Sequence, residues 1–217
     1  MRTRQMQSCL HDNGTIECAL REVDVVDPEP HEVLVKVEAA PINPSDLGLM
    51  FGAADLSSLR EIERDGRVSI LLDVPPARMR AMGPRVGQWI GVGNEGSGRV
   101  VAAGSSEASQ IMLGKRVGMF GGEMYSEYRC LPVSKCMMFP DSISSEQAAS
   151  CFVNPMTAMG FMETRQMEGQ SGIVHTAAAS NLGQMLVRLC QADDIPLVNI
   201  VRSEEQVKLL RGMGVEW

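Results

Sequence analysis

The 217-residue sequence predicts an α/β protein whose β-rich N-terminal part is followed by the opening of a parallel sheet. Three observations point there. Short apolar runs of period two, divided by Gly and Pro, fill the chain up to residue 143. At Ser144 the period becomes helical. From Gly172 to Arg211 the pattern reads strand, helix, strand, helix, which is how a parallel sheet begins.

In the first part, Glu32 to Ala39 puts Val33, Val35 and Val37 on one face of a strand. Gly98–Gly104, Lys115–Phe120 and Tyr125–Cys130 are further short strands, and a small barrel-like domain over 1–143 is the economical reading. Residues 53–85 fit least well: Arg-rich around the apolar patch Val68 to Val74, they read as a surface insertion with one helix near Ser57 to Arg64. Ser144, with Gln147 three residues on, forms a capping-box pattern that starts a helix. A break or second start is expected near Asn154-Pro155. The strand Gly172–Thr176, the helix Leu182–Ala192, the strand Leu197–Val201 and the helix Glu204–Arg211 complete the span 144–217. Two parallel strands are too few to cover both sheet faces, so the expectation is a sheet left incomplete at Trp217.

Composition excludes several classes. With 20 Lys and Arg against 27 Asp and Glu the net charge is −7, a poor match for a nucleic-acid backbone. No apolar run approaches the ~20 residues that span a bilayer, and Arg2 and Arg4 are not followed by the apolar core of a secretory signal. The six cysteines are scattered, with no C-x-x-C, and with His11, His31 and His175 they form no metal-ligand spacing; they read as reduced thiols. The expected compartment is the cytoplasm, with the mitochondrion as the second reading. The 16 methionines read as core filler, or as the lining of an apolar pocket.

The chemistry falls on the loop after the first parallel strand, His175-Thr176-Ala177-Ala178-Ala179-Ser180-Asn181-Leu182-Gly183. A helix N-terminus there offers free N–H groups to a phosphate. The dinucleotide fingerprint G-x-G-x-x-G falls on Ala178, Ser180 and Gly183, with only the third glycine present; an ordinary βα turn is the alternative. Arg202-Ser203 ends the second strand, nineteen residues past Gly183 (202 − 183). A carboxylate at this place favours a ribose hydroxyl, whereas a cation and a hydroxyl suit a 2′-phosphate, so NADP(H) is favoured over NAD(H). A solvated strand-end arginine is the alternative.

Four segments carry a family resemblance. Ala39 to Asp46, with Asn43-Pro44-Ser45-Asp46, Gly93-Asn94-Glu95-Gly96-Ser97-Gly98, Phe152 to Ala158, and Val174 to Gly183 followed by Asn199 to Arg202 resemble the zinc-free quinone oxidoreductases and 2-enoyl thioester reductases of the medium-chain dehydrogenase/reductase superfamily. The likeness implies a GroES-like barrel followed by a Rossmann (doubly wound) domain, here its front portion. It places Asn43 and Thr157 beside the nicotinamide and Asn154 at the edge of the site. Ala178, Ser180, Asn181, Leu182 and Gly183 then face the pyrophosphate, and Arg202 with Ser203 the 2′-phosphate. Asn43 as a turn cap and Thr157 as a packed helix residue are the structural alternatives. Zinc-dependent relatives hold the metal with a Cys and a His where this chain has Pro44 or Ser45 and Asn94, so no metal is expected.

The implied function is hydride transfer from NADPH to an activated alkene (a quinone, enone or enoyl thioester). The substrate is a small molecule, and the full-length family form leaves room for a homodimer. Two departures favour an inactive remnant instead. The tyrosine that thioester reductases carry soon after this segment is missing from Phe51-Gly52-Ala53-Ala54-Asp55, and the relatives continue well past the length of this chain.

Overall fold

A computed structural model describes residues 1–64 and 66–215. The chain divides into two compact units, Met1–Cys151 and the segment from Phe152 onward.

The first unit is built from two five-stranded antiparallel sheets. Its elements run β1 (Arg2–Leu10), β2 (Thr15–Asp24), β3 (Glu32–Ala39), α1 (Pro44–Phe51), β4 (Asp55–Arg64), β5 (Arg67–Asp73), α2 (Pro76–Met82), β6 (Trp89–Gly91), β7 (Glu95–Ala103), α3 (Glu107–Met112), β8 (Arg116–Phe120), β9 (Tyr128–Pro132), β10 (Cys136–Phe139) and α4 (Ser145–Ala149). One sheet has the order β4-β5-β2-β1-β6, the other β10-β8-β7-β3-β9. Of the face read at Val33, Val35 and Val37, the first two are fully buried, in a core with Val100, Val117, Met119, Met124 and Leu131, and Val37 packs partly buried against it. Leu34 on the opposite face is buried as well, so the strand is covered on both sides at its start. Each such side chain contributes about 1.5–3 kcal/mol on burial.

Residues 53–85 correct the sequence reading. Ser57 to Arg64 is strand β4 rather than helix, and β5 pairs with β2 through Ile16↔Leu72 and Cys18↔Ile70. Leu72 is fully buried, and Val74 and Met82 join Leu10, Ile16 and Cys18 in a second core. The segment is a structural part of the barrel, not a surface insertion. Helix α4 also belongs to the first unit: Arg116 donates to Ser145 Oγ (3.1 Å) and to the Ile143 carbonyl (2.6 Å), and Ser97 Oγ to the Ser145 carbonyl.

The second unit contains α5 (Val153–Met167), β11 (Ile173–His175), α6 (Asn181–Ala192), β12 (Leu197–Asn199) and α7 (Glu204–Gly212). Pro155 sits in the first turn of α5, where its missing N–H has no helical acceptor to lose, so the expected break is a new start. β11 and β12 pair in parallel, Ile173↔Leu197 to His175↔Asn199. Ala158 and Met162 of α5 pack on Leu186 and Cys190 of α6, and Ile173 and Leu197 close that core. The other sheet face leaves Val174 and Val198 exposed. No helix among the described residues is long and apolar enough to cross a membrane.

Candidate functional site

In the second unit the loop after β11 runs straight into α6. Ser180 caps the helix, its Oγ accepting from Gly183 N at 3.1 Å, while Gln184 N donates to the Ser180 carbonyl. The Gln184 bond is the first regular turn of the helix. Of the four orphan donors, Gly183 N goes to the cap and Ser180 N to the Ala177 carbonyl (2.9 Å), which leaves the N–H groups of Asn181 and Leu182 without a partner among the described residues. Gly183 lies hard against the loop, where a Cβ would meet the carbonyl oxygens of Ala178 and Ala177. Only glycine lets the loop fold that closely over the helix. Ala178 is fully buried, backbone included, beside Val187 and Leu210, and its carbonyl faces Gly183, so it packs inside the loop and presents no surface to a ligand. The Leu182 side chain likewise turns to the α5–α6 core, whereas Ser180 and Asn181 are exposed.

Parallel pairing brings the C-terminal end of β12 beside that of β11, so the Arg202 loop leaves the same end of the sheet as the Ser180 loop. The Arg202 guanidinium is exposed and has no partner among the described residues. Its backbone N–H donates to Gln206 Oε1 (2.9 Å). Ser203 caps α7, accepting from Gln206 N (3.4 Å), and its hydroxyl holds the Glu205 carboxyl below its usual range. Glu204 and Glu205 occupy the first turn of α7, and the Glu205 carboxylate on the Ser203 hydroxyl would oppose a phosphate bound there.

On α5, Thr157 is exposed and its Oγ1 donates back to the Val153 carbonyl (2.6 Å); Asn154 is half-buried in the first turn. Beneath the loop, His175 is 8% exposed, its Nδ1 has no partner, and burial lowers its pKa. The neutral ring meets Phe161 edge-on at 5.8 Å.

In the first unit Asn43 is 4% exposed and precedes α1. Its Nδ2 donates to Glu95 Oε1 at 3.0 Å and its backbone N–H to Asp46 Oδ2 at 2.7 Å. Both carboxylates are fully buried. The other oxygen of Asp46 accepts from Asn94 N (2.8 Å), and Asn94 Nδ2 donates to Ser45 Oγ (2.9 Å). Pro44, Ser45 and Asn94, the positions where zinc-dependent relatives carry metal ligands, thus offer neither thiolate nor imidazole.

Asp55, in the segment that lacks the tyrosine, is a poor proton donor: hydrogen bonds from Ser57 hold its carboxyl below the usual range. Tyr125, which the sequence places far from the Asn43 segment, lies beside it: its hydroxyl donates to the Pro41 carbonyl at 2.9 Å. Gly93 has φ +95° and a Cβ there would sit 2.7 Å from the Tyr125 ring. Burial first, then the charge of Asp46, push the phenol pKa up, so it stays a neutral donor. Asp46, Glu95 and Tyr125 were not among the candidates read from the sequence. The glycine of the Gly93-Asn94-Glu95 turn was the available signal, since it marks a place where something packs against the backbone.

Residues 29–141 match the alcohol dehydrogenase GroES-like domain. Among curated relatives, a quinone oxidoreductase of Pseudomonas aeruginosa is 33% identical over 134 residues, 60% of this chain and 41% of that protein. A mitochondrial enoyl-[acyl-carrier-protein] reductase of Caenorhabditis elegans is 29% identical over an alignment covering 99% of this chain and 56% of its own length. The chain thus spans about half the length of these relatives. A mycobacterial protein solved with NADPH has the same fold, with a TM-score of 0.65 at 21% identity, covering 99% of this chain and 56% of that one. The match over more than half of the sequence, the paired antiparallel sheets and the βαβα segment behind them make this chain a member of the alcohol dehydrogenase GroES-like family, within the medium-chain dehydrogenase/reductase superfamily.

Proposed function

We propose that the protein is an NADPH-dependent reductase that transfers hydride to an activated alkene of quinone, enone or enoyl-thioester type without zinc. The observation that carries this reading is the crossing from β11 to α6. Gly183 leaves room for close backbone approach, two N–H groups point out of the helix, and a free guanidinium stands at the adjacent strand end. These are the donors a pyrophosphate and a 2′-phosphate need. The relatives' names, quinone oxidoreductase and enoyl reductase, and the fold neighbour's NADPH support the chemistry.

Bound NADPH would supply the hydride. In the second unit, Ser180 and the Asn181 and Leu182 amides would hold the pyrophosphate and Arg202 with Ser203 the 2′-phosphate. For the nicotinamide the family resemblance supplies the assignment of Asn154 and Thr157, and of Asn43 in the first unit. As hydride reaches the β-carbon, charge builds on the acceptor's carbonyl oxygen. Asn94 and Ser45 are poor zinc ligands, so hydrogen-bond donors rather than a Lewis acid would meet that charge. We place the protein in the cytoplasm; cell fractionation against a mitochondrial marker tests this.

The test is thermal unfolding of the 217-residue chain with NADPH and with NADH. Saturation at 100 times Kd adds about 2.7 kcal/mol of stability. A response to NADPH is expected, and Arg202→Ala should weaken it by about tenfold to a hundredfold while leaving NADH unaffected. No shift with either nucleotide would sink the cofactor assignment, and a shift with NADH alone would remove the role given to Arg202. A second reading, a nucleotide-binding protein without catalysis, is favoured by the absence of a tyrosine from Phe51-Gly52-Ala53-Ala54-Asp55, where a proton donor is wanted. It predicts NADPH binding with no oxidation of NADPH by any enone, quinone or enoyl thioester.

A further inference from the structure

We propose that Asp46 is a positioning residue that fixes the direction of the Asn43 amide, the group the reductase reading puts at the nicotinamide. The case rests on a closed ring of hydrogen bonds. Asn43 N donates to one oxygen of Asp46 (2.7 Å) and Asn94 N to the other (2.8 Å). The next residue along the chain, Glu95, accepts from the Asn43 side chain (3.0 Å). Backbone of Asn43, carboxylate of Asp46, backbone of Asn94, carboxylate of Glu95 and amide of Asn43 therefore form one circuit. Moving the Asp46 carboxylate moves Glu95 relative to Asn43.

A carboxylate that served only its own helix would need the Asn43 bond alone. Asp46 is fully buried, and burying a charge is costly unless fixed donors meet it. Here one of those donors comes from a turn 48 residues away in sequence, so the carboxylate ties two segments together. Tyr125 straps the same two turns by contacts that do not use the carboxylate, its ring against Gly93 and its hydroxyl on the Pro41 carbonyl, although the Asp46 charge reaches its phenol. Loss of the Asp46 charge should therefore loosen the turns without unfolding the unit.

The test is Asp46→Asn in the whole chain, alone and with Asn43→Ala. Asparagine keeps the size of aspartate but turns an NH2 against one of the two N–H donors. Faster hydrogen exchange is expected in residues 41–46 and 93–95, with the rest of the first unit unchanged. NADPH affinity should fall about tenfold, and in the Asn43→Ala background Asp46→Asn should cost nothing further, since the two act as one unit. Full additivity of the two losses would overturn the positioning role. The exchange measurement stands apart from the cofactor: a chain that ignores NADPH defeats the reductase reading, while unchanged exchange defeats the clamp. The near-UV titration of the phenols gives a further readout, because Asp46→Asn should lower the Tyr125 pKa, assigned with Tyr125→Phe; an unmoved Tyr125 also counts against the role. Should Asp46→Asn fail to fold, Asp46→Ser removes the same charge with less bulk and carries the same comparisons.

Discussion

At Gly183 and His175 single atoms decide the outcome. Gly183 is held against the carbonyls of Ala177 and Ala178, backbone atoms that cannot rotate away. Gly183→Ala should cost about 1–3 kcal/mol, the range for an overpacked site, measured by urea denaturation. Because the loop must lift to admit the methyl group, NADPH response should be lost with it. Retained NADPH binding in a destabilised variant would separate packing from ligand recognition. His175 makes a pH prediction. Burial depresses its folded pKa below the usual 6.5, and Nδ1 has no partner that would favour a charged ring. Above that value both folded and unfolded rings are neutral. As pH falls through it, the unfolded chain takes up the proton first, so stability drops until the folded pKa is reached. His175→Gln should flatten this mildly acidic limb; an unchanged limb would assign it to other groups.

At the scale of elements, strands β4 and β5 show how the same residues support two readings. Arg60, Glu61, Glu63 and Arg64 have the charge spacing of a solvated helix. In the structure they lie on an edge strand, with Glu61↔Ile70 and Ile62↔Ser69, and charges on an edge keep other strands from pairing with it. Local sequence cannot tell these apart; the partner strand decides. Leu72→Ala should therefore cost about 2–5 kcal/mol, as for a core leucine, where a surface insertion would cost almost nothing. Strands β1 and β2 were illegible for another reason: their buried positions include Thr3, Gln5, Ser8 and Glu17, so no apolar alternation marks them. Helices α6 and α7 were legible because each carries its start signal locally, at Ser180 and Ser203. The same locality made the position of Ser180, Gly183 and Arg202 at one end of the parallel strand pair readable. The ring through Asp46 was not, because it joins segments that only the folded barrel brings together. Ser180→Ala should remove about 1 kcal/mol with the cap, checked by thermal unfolding.

For the molecule as a whole, the thiols set a stability limit on the alkaline side. All six cysteines are unbridged, and each has its pKa raised chiefly by burial. Cys130 is pushed up to about 11, and Cys136 and Cys151 to about 12, from an ordinary value of 9.0. The sign follows from which state holds its protons. Below 9.0 the thiols are protonated whether the chain is folded or not, and they add no pH dependence. As pH rises further the unfolded chain ionises first while the folded one resists, so stability falls progressively up to the folded values. The buried phenol of Tyr125 acts in the same direction. Denaturant midpoints taken from about pH 8 to about pH 11 should therefore decline, and the Cys136→Ala, Cys151→Ala double variant should decline less steeply. Both thiols are partly exposed but kept protonated, so alkylation near neutral pH should be slower than for a free thiol and should speed up as pH rises. A double variant with an unaltered alkaline slope would assign the decline to the other thiols and to Tyr125.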